Sequence, residues 1–354
     1  MKNKAYSRIK IAITLGSLLI LGIFLKSPSP DTFQTFLSSS EPVIYSKQCN
    51  DEPLRVLCDA VDHAKNNVFL RIYRLTSPEV YTSFANQAKA GRTVAIHYEK
   101  MIGVTDFPSS SKVTLVEHPV EGRKLMHQKA LAIDDTYAWL GSANYTYPSL
   151  VQDSNLIIGL KSSELCQHIK KESSGEFKIR KQNAQYFSLP GDQRKALAAV
   201  LQLLKTAKKT IRIAMFALTY PPIFYELNEA QKRGVDVQIL VDKDFKKSAI
   251  HQIEALKDSH LTLRAKVTRH RLHHKFAIID NRILITGSAN WSEAGFNLNS
   301  EDLLILDNLT NKQLKKLNAI WKDLENQCAV VYPVKQEEEK VLPLPSQQQG
   351  KHAA

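Results

Sequence analysis

The sequence is poor in the residues that build metal centres. Its 354 residues include only four cysteines, and none lies in a Cys-x-x-Cys or Cys/His spacing. A structural zinc site needs such a cluster of ligands, so a zinc finger is excluded as a nucleic-acid-binding module. An even number of cysteines permits disulfides in an exported chain without establishing them.

Long apolar runs are also missing, with one exception near the N-terminus. The uncharged run 11–25 is long for the apolar part of a signal peptide and short for a membrane span, which needs about 17–25 residues. Basic residues precede it, and no clear A-x-A cleavage site follows. We interpret residues 1–30 as a signal anchor, with a cleaved signal peptide as the alternative. The positive-inside rule then places the rest of the chain outside the cytoplasm, anchored or secreted.

In other respects the composition is that of an ordinary globular protein, 43% hydrophobic and 23% charged. The formal net charge of +13 favours an anionic partner, either a nucleic acid or an acidic membrane surface. A merely solvated basic surface would give the same number. The last stretch, 333–354, is rich in Glu, Gln and Pro and is predicted to be disordered.

One pattern occurs twice in the chain. Residues 127–144 read HQKALAIDDTYAWLGSAN, and residues 273–290 read HHKFAIIDNRILITGSAN. Both fit His-x-Lys, four residues, Asp, six residues, Gly-Ser-x-Asn. The repeat extends upstream, because residues 54–100 align without a gap on residues 197–243.

Each half shows the same order of predicted elements. An amphipathic helix is followed by a strand, a helix that ends at Gly91 or Gly234, a second strand, and a motif whose two ends read as strands. This alternation predicts an α/β layered architecture.

The motif itself favours chemistry at a phosphate. Residues two apart in a strand point to the same face, so His-x-Lys places an imidazole beside an ammonium. Two such pairs supply one neutral imidazole to attack phosphorus and one protonated imidazole to protonate the leaving oxygen. The lysines neutralise the negative charge of the phosphate oxygens, and the Ser and Asn of Gly-Ser-x-Asn can hydrogen-bond the same oxygens. No metal or other cofactor is required.

The paired motifs resemble the double HKD signature of the phospholipase D superfamily of phosphodiesterases. The resemblance covers roughly residues 45–330 and implies two similar lobes, 45–165 and 185–330, packed as an internal pseudo-dimer. One site would lie at their seam, so no oligomer is required. The implied catalytic positions are His127, Lys129, Asp134, His273, Lys275 and Asp280. The implied phosphate-binding positions are Ser142, Asn144, Ser288 and Asn290.

Within this set, His127 is expected to be the nucleophile that forms a phosphohistidine, and His273 the acid and then the base. The reverse assignment stays open because the halves are so alike. The two aspartates are expected to have a structural role. Acids beyond the motifs, Glu301 in NSEDLLIL and Asp153 in VQDSNLII, are expected to orient the histidines.

The resemblance and the anchor together predict a phospholipase D-type hydrolase that acts on phospholipid headgroups at a membrane surface. Small membrane-anchored hydrolases of the cardiolipin hydrolase type are similar in plan. Two alternatives remain: a membrane-anchored endonuclease with nucleic acid as partner, and a phosphatidyltransferase similar to cardiolipin synthase. Basic residues before each motif are expected to steer the anionic substrate; they are Arg123, Lys124, Arg264, Lys266, Arg269 and Arg271.

Overall fold

The computed structural model describes residues 31–333, which form two mixed β-sheets with helices packed against them. The predicted α/β architecture of two similar lobes is thereby confirmed. The predicted signal segment 1–30 and nearly all of the predicted tail lie outside the described residues. Among residues 31–333, no helix is long and apolar enough to cross a membrane. The four cysteines are free thiols.

The first lobe contains a seven-stranded sheet. Its strands are β1 (Val43–Tyr45), β2 (Asn67–Leu75), β3 (Thr93–Met101), β4 (Val113–Glu117), β5 (Lys129–Ile133), β6 (Tyr137–Gly141) and β7 (Ile157–Lys161). Its helices are α1 (Thr32–Ser38), α2 (Pro53–Asp62), α3 (Pro78–Lys89) and α4 (Ser163–Lys171). The spatial order of the strands is β1-β7-β6-β5-β2-β3-β4.

The second lobe contains a nine-stranded sheet. Its strands are β8 (Gly175–Ile179), β9 (Gln182–Leu189), β10 (Thr210–Met215), β11 (Asp236–Val241), β12 (Leu263–Lys266), β13 (Lys275–Ile279), β14 (Ile283–Gly287), β15 (Glu301–Leu306) and β16 (Cys328–Tyr332). Its helices are α5 (Gln193–Thr206), α6 (Pro221–Lys232), α7 (Lys246–Glu254), α8 (Glu293–Asn297) and α9 (Asn311–Asn326). The spatial order is β16-β12-β11-β10-β13-β14-β15-β9-β8.

Six strands of each sheet share one order and one set of directions. β2, β3 and β4 run parallel, and β5, β6 and β7 follow β2 as antiparallel neighbours. β10 to β15 repeat this arrangement. The second sheet also includes β8 and β9, so its first residue, Gly175, comes before residue 185, where the second lobe is predicted to begin.

Local sequence explains where the central helices begin and end. α3 begins at Pro78 and α6 at Pro221. Proline lacks a backbone N–H, and the first residue of a helix does not need one for a hydrogen bond within the helix. Gly91 and Gly234 follow these helices with φ of +75° and +86°, as the sequence predicts.

The apolar core has three parts. One cluster fills each lobe between its sheet and its own helices. The third joins the lobes, since it contains Ala130 and Ala132 of β5 together with Phe276 and Ile278 of β13. The two sheets are therefore held together by a continuous buried apolar layer, which fixes the geometry of the seam.

Candidate active site

The two motifs bring their histidines to the seam between the lobes. His127 and His273 lie two residues before the first residues of β5 and β13, at the edge where the parallel strands end. The backbone N–H of His127 donates to the carbonyl of Ser300 at 2.9 Å, and that of His273 donates to the carbonyl of Ser154 at 2.9 Å. Each histidine is thus anchored by the backbone of the opposite lobe.

The first histidine is paired with a buried carboxylate of the second lobe. Nδ1 of His127 lies 2.7 Å from Oε1 of Glu301, whose side chain is fully buried. Glu301 also accepts hydrogen bonds from Ser288 Oγ at 2.5 Å and from Asn299 Nδ2 at 3.3 Å. Glu301, which was expected to orient a histidine, therefore lies within hydrogen-bond distance of His127.

The second histidine has a neutral partner. Nδ1 of His273 lies 2.9 Å from Oδ1 of Asn155, and the same oxygen accepts from Ser142 Oγ at 2.8 Å. Asp153, which was expected to orient a histidine, forms no hydrogen bond with His273 among the described residues. Asp153 instead accepts the backbone N–H of Arg271 at 3.1 Å, because it lies two residues before the position that corresponds to Glu301.

The glycine and serine of each Gly-Ser-x-Asn sequence contact the neighbouring strand closely. A Cβ at Gly141 would lie 2.1 Å from the carbonyl oxygen of Leu156, and one at Gly287 would lie 2.1 Å from that of Asp302. Only glycine permits this approach. The serines are therefore committed to Asn155 and Glu301, so they position those side chains.

The two motif lysines are almost fully buried. Lys129 is 1% exposed and Lys275 is 2% exposed. Nζ of Lys129 donates to the carbonyl of His127 at 2.6 Å, and Nζ of Lys275 lies 3.3 Å from Nε2 of His273. No carboxylate of the described residues forms an ion pair with either lysine. Both ammonium groups are therefore available to an anion.

An aromatic ring covers each histidine and lysine pair, and sequence reasoning missed both rings. Tyr73 lies 5.0 Å from the ring centroid of His127, and Phe216 lies 4.8 Å from that of His273. Each ring also lies 5.3 Å from the neighbouring lysine Nζ. The upstream alignment places Tyr73 on Phe216, so the repeat itself contained the signal.

The motif asparagines have uncommitted oxygens. Oδ1 of Asn144 and Oδ1 of Asn290 are buried without a hydrogen-bond partner among the described residues. Buried polar atoms are normally satisfied, so each oxygen can accept a hydrogen bond from a ligand, whereas a phosphate oxygen would accept from the amide Nδ2–H.

The motif aspartates lie away from the site. Asp134 and Asp280 stand at the far ends of β5 and β13, where each accepts three consecutive backbone N–H groups of its own lobe. Their φ values of +50° and +51° belong to the three-residue turns 134–136 and 280–282 between the motif strands. The motif resemblance counts both aspartates among the catalytic positions, but their contacts in the structure are with these backbone N–H groups and not with the histidines.

Burial and mutual repulsion shape the electrostatics. Burial, followed by the charges of Lys129 and Lys275, holds the pKa of both His127 and His273 well below the usual value. Burial lowers the pKa of Lys129 to about 8 and lowers that of Lys275 strongly. Burial raises the pKa of Glu301 to about 8, against the opposing charge of Lys129. The empty site thus favours neutral imidazoles.

Two of the expected steering residues have other partners. Lys266 is buried and donates to Ser154 Oγ at 2.8 Å, and Arg264 pairs with Glu325 at 2.6 Å. The remaining expected residues, Arg123, Lys124, Arg269 and Arg271, are exposed. No group of three His, Cys, Asp or Glu side chains in residues 31–333 could hold a metal ion.

Comparison with known proteins gives a family match over most of the chain. The family described as "Cardiolipin synthase, PLD-like domain" matches twice, over residues 57–175 and 200–322. The chain is similar to the mitochondrial cardiolipin hydrolase of Mus musculus, with 29% identity over 150 residues, 42% of this chain and 67% of that protein. It is also similar to a phospholipase D of Rickettsia typhi, with 28% identity over 108 residues, 30% of this chain and 53% of that protein.

A solved structure matches over nearly the whole length. The phosphatidylserine synthase of Haemophilus influenzae Rd KW20 superimposes with a TM-score of 0.61 over 85% of this chain and 91% of its own. The sequence identity is 11%, so this similarity concerns the fold.

Proposed function

We propose that this chain, which belongs to the phospholipase D superfamily and is a phosphodiesterase-type enzyme, hydrolyses the headgroup ester of a phospholipid. The reaction would proceed through a phosphohistidine and without a metal. The observation that carries the proposal is the pair of histidines at the seam, each bound at Nδ1 by a side chain of the opposite lobe. Engagement of Nδ1 assigns the chemistry to Nε2.

The difference between the two partners supports one assignment of the roles. The nucleophile becomes a cationic phosphoimidazolium, whereas the acid loses its charge as it gives up a proton. Only interactions that strengthen in the transition state accelerate the step, so a carboxylate is most useful on the histidine that gains charge. That histidine is His127, which faces Glu301. Burial raises the pKa of Glu301 to about 8, and the positive charge that develops on His127 favours its carboxylate form. Asn155 adds no negative charge to His273, so a protonated His273 remains a strong acid.

In the first step, the Nε2 lone pair of His127 forms a bond to phosphorus as the bond from phosphorus to the headgroup oxygen breaks. The Nε2 proton of His273 passes to the leaving oxygen. The bound diester carries a negative charge, which opposes the lysine charges and allows His273 to hold that proton at neutral pH. Phosphatidyl remains on His127, and the headgroup alcohol departs.

In the second step, neutral His273 takes a proton from water, and the water oxygen attacks phosphorus. The phosphorus–nitrogen bond breaks, which restores His127 and releases phosphatidic acid. Lys129 and Lys275 stabilise the negative oxygens in both steps, with Asn144 and Asn290 beside them. Two in-line displacements predict retention of configuration at phosphorus.

The choice of a lipid substrate is supported by the relatives, whose names describe cardiolipin and phospholipid hydrolysis. The basic charge of the chain and the predicted anchor at residues 11–25 agree with a substrate in a membrane. We propose that the enzyme is anchored with its catalytic part outside the cytoplasm, or secreted if the signal is cleaved.

The test is a direct comparison of substrates. The purified full chain is assayed on vesicles of cardiolipin and of phosphatidylglycerol, and on single-stranded DNA and RNA, with no metal added. Release of phosphatidic acid supports the proposal, and a variant that lacks both motif histidines is the control. Strong cleavage of nucleic acid without lipid turnover would identify an endonuclease. Net formation of cardiolipin from phosphatidylglycerol would identify a phosphatidyltransferase.

A further inference from the structure

Two loops that lead into the proposed active site carry exposed valines. Val120 is 54% exposed and Val267 is 65% exposed. They are among only six large hydrophobic side chains that are exposed in residues 31–333. Val120 precedes His127 by seven residues, and Val267 precedes His273 by six, so the two valines occupy comparable places in the two lobes.

The topology places both valines at the mouth of the site. β4 ends at Glu117 and β12 ends at Lys266, and each runs parallel to the central strands of its sheet. These strand ends share the edge at which the motif histidines stand. We call residues 118–126 and 267–272 the mouth loops. Their far ends cross to the opposite lobe, where Met126 pairs with Ser300 and Leu272 pairs with Ser154.

The mouth loops are also basic. Arg123, Lys124 and Arg269 form no ion pair within residues 31–333, and Arg271 lies 3.9 Å from Asp244. Glu121 is the single carboxylate in the two loops. Each loop therefore combines one exposed aliphatic side chain with two cations and at most one nearby carboxylate, Glu121 in the first loop and Asp244 beside the second.

We propose that the mouth loops dock on the surface of an anionic bilayer, which deepens the proposed lipid hydrolysis and rests on it. The valines enter the interfacial region of the lipid, and the arginines and Lys124 contact lipid phosphates. A nucleic acid is the weaker partner. Protein surfaces that bind nucleic acids use cations and stacking aromatic rings, whereas an exposed aliphatic side chain makes no favourable contact with a sugar–phosphate backbone.

Docking orients the site toward its substrate. Because one mouth loop belongs to each lobe, the two contacts straddle the seam and point the histidines at the headgroup layer. Loss of one cation near an anionic surface weakens binding about fivefold, since each contributes about 1 kcal/mol. Removal of both valines should act on the same equilibrium without touching the chemical step.

The test uses tryptophan as a depth probe in the full chain. Val120→Trp and Val267→Trp are compared with Val330→Trp, a 44% exposed valine on the edge strand β16. The native Trp139, Trp291 and Trp321 are at most 5% exposed and supply the baseline. Brominated lipid in anionic vesicles should quench the new fluorescence at 120 and 267 and leave that at 330 unchanged. Absence of quenching at 120 and 267, or equal quenching at 330, overturns the docking surface.

A second measurement separates docking from the proposed reaction. The double variant Val120→Asn/Val267→Asn should lose at least fivefold in turnover of anionic vesicles and keep full turnover of a monomeric short-chain diester. Quenching without lipid turnover would support docking while contradicting the proposed substrate. Tight binding of single-stranded DNA that abolishes the quenching would instead identify the mouth loops as a nucleic-acid surface and overturn the inference.

Discussion

The two lobes offer the same motif to one phosphate, but their supporting residues differ. The first lobe contributes Tyr73 followed by Arg74, where the second has Phe216 followed by Ala217. His127 faces a carboxylate, whereas His273 faces an amide. The difference is therefore concentrated in the partners of the histidines rather than in the motifs.

The two lobes also differ in the residue that separates the His and Lys of each motif. In the first motif, Gln128 donates to Oδ1 of buried Asp302 at 3.1 Å, and Tyr186 donates to the same oxygen at 2.5 Å. In the second, both ring nitrogens of buried His274 lack a partner among residues 31–333, because Leu156 stands where the other half has Asp302. The residue between the motif His and Lys thus contacts a buried carboxylate in the first motif and has no hydrogen-bond partner among residues 31–333 in the second. This asymmetry separates a histidine that gains charge from one that gives it up.

The largest effect should come from removing either motif histidine. His127→Ala and His273→Ala should each lower kcat about 10²–10⁴-fold on a substrate with an alcohol leaving group. The double variant should be little worse than either single variant, because the two side chains act as a unit. Vesicle turnover by the purified variants measures this, and His251→Ala, an exposed histidine on α7, is the matched control.

A p-nitrophenyl diester then separates the two roles. Its leaving group needs no protonation, so His273→Ala should recover much of its first-step rate, whereas His127→Ala should remain inactive. Label from a quenched reaction should map to His127. Recovery in the His127 variant instead would reverse the assignment.

The next effect comes from exchanging the partners. Glu301→Gln removes a charge-assisted hydrogen bond that stabilises the phosphoimidazolium, which is worth about 1.5–3 kcal/mol, so kcat should fall about 10–10²-fold. Asn155→Asp should act more weakly, because it raises the pKa of His273 and makes it a weaker acid. The pH profile of Asn155→Asp should therefore move upward, and Glu301→Asp should restore part of the lost rate. Unchanged profiles in both partner variants would reduce Glu301 and Asn155 to structural residues.

A smaller effect concerns the lysines. Lys129 has a pKa of about 8, so its stabilising charge is present below that pH and is lost as the pH rises through it. We expect kcat/KM of the free enzyme to decline above about pH 8. In Lys129→Arg the guanidinium stays protonated, so the component of the alkaline decline that belongs to the first lobe should move upward. A wild-type profile that stays level well beyond this pH contradicts the lowered pKa.

The motif aspartates should affect stability alone. Asp134→Asn and Asp280→Asn each weaken three backbone hydrogen bonds, so the free energy of unfolding should fall by about 1–3 kcal/mol. Turnover at a temperature where both variants are folded should stay close to wild type. Urea denaturation gives the stability, and Glu254→Gln, an exposed helical residue, is the control. A large loss of kcat in a folded variant would indicate that these aspartates take part in catalysis.

The smallest effect should be that of chelation. The site presents lysines, imidazoles and amides, and its one carboxylate, Glu301, is held by His127, Ser288 and Asn299. Activity should persist in excess EDTA on both lipid and soluble diesters. Complete loss that zinc or magnesium restores would contradict the metal-independent reaction.

Sequence reasoning predicted the repeated α/β order and the glycines after α3 and α6, because these follow from local periodicity. It did not identify Asn155. The choice of Asp153 relied on chemical type, whereas the spacing between the motifs, applied to Glu301, leads directly to Asn155. Which lobe supplies each partner could not be predicted, since a sequence repeat contains no information on how its copies pack. Lys266 was likewise expected to steer the substrate, but β12 is paired on both sides and its side chain is buried.

The exchange of partners across the seam has a consequence for how such a molecule can change over evolutionary time. In a symmetric pair of identical subunits, every substitution beside one histidine is repeated beside the other. Once both copies share one chain, a change from a carboxylate to an amide in the first copy alters only the histidine of the second. A substitution in one copy therefore changes the histidine of the other copy. A fused duplicate can give the nucleophilic role to one histidine and the acid–base role to the other, whereas identical subunits cannot differ in this way.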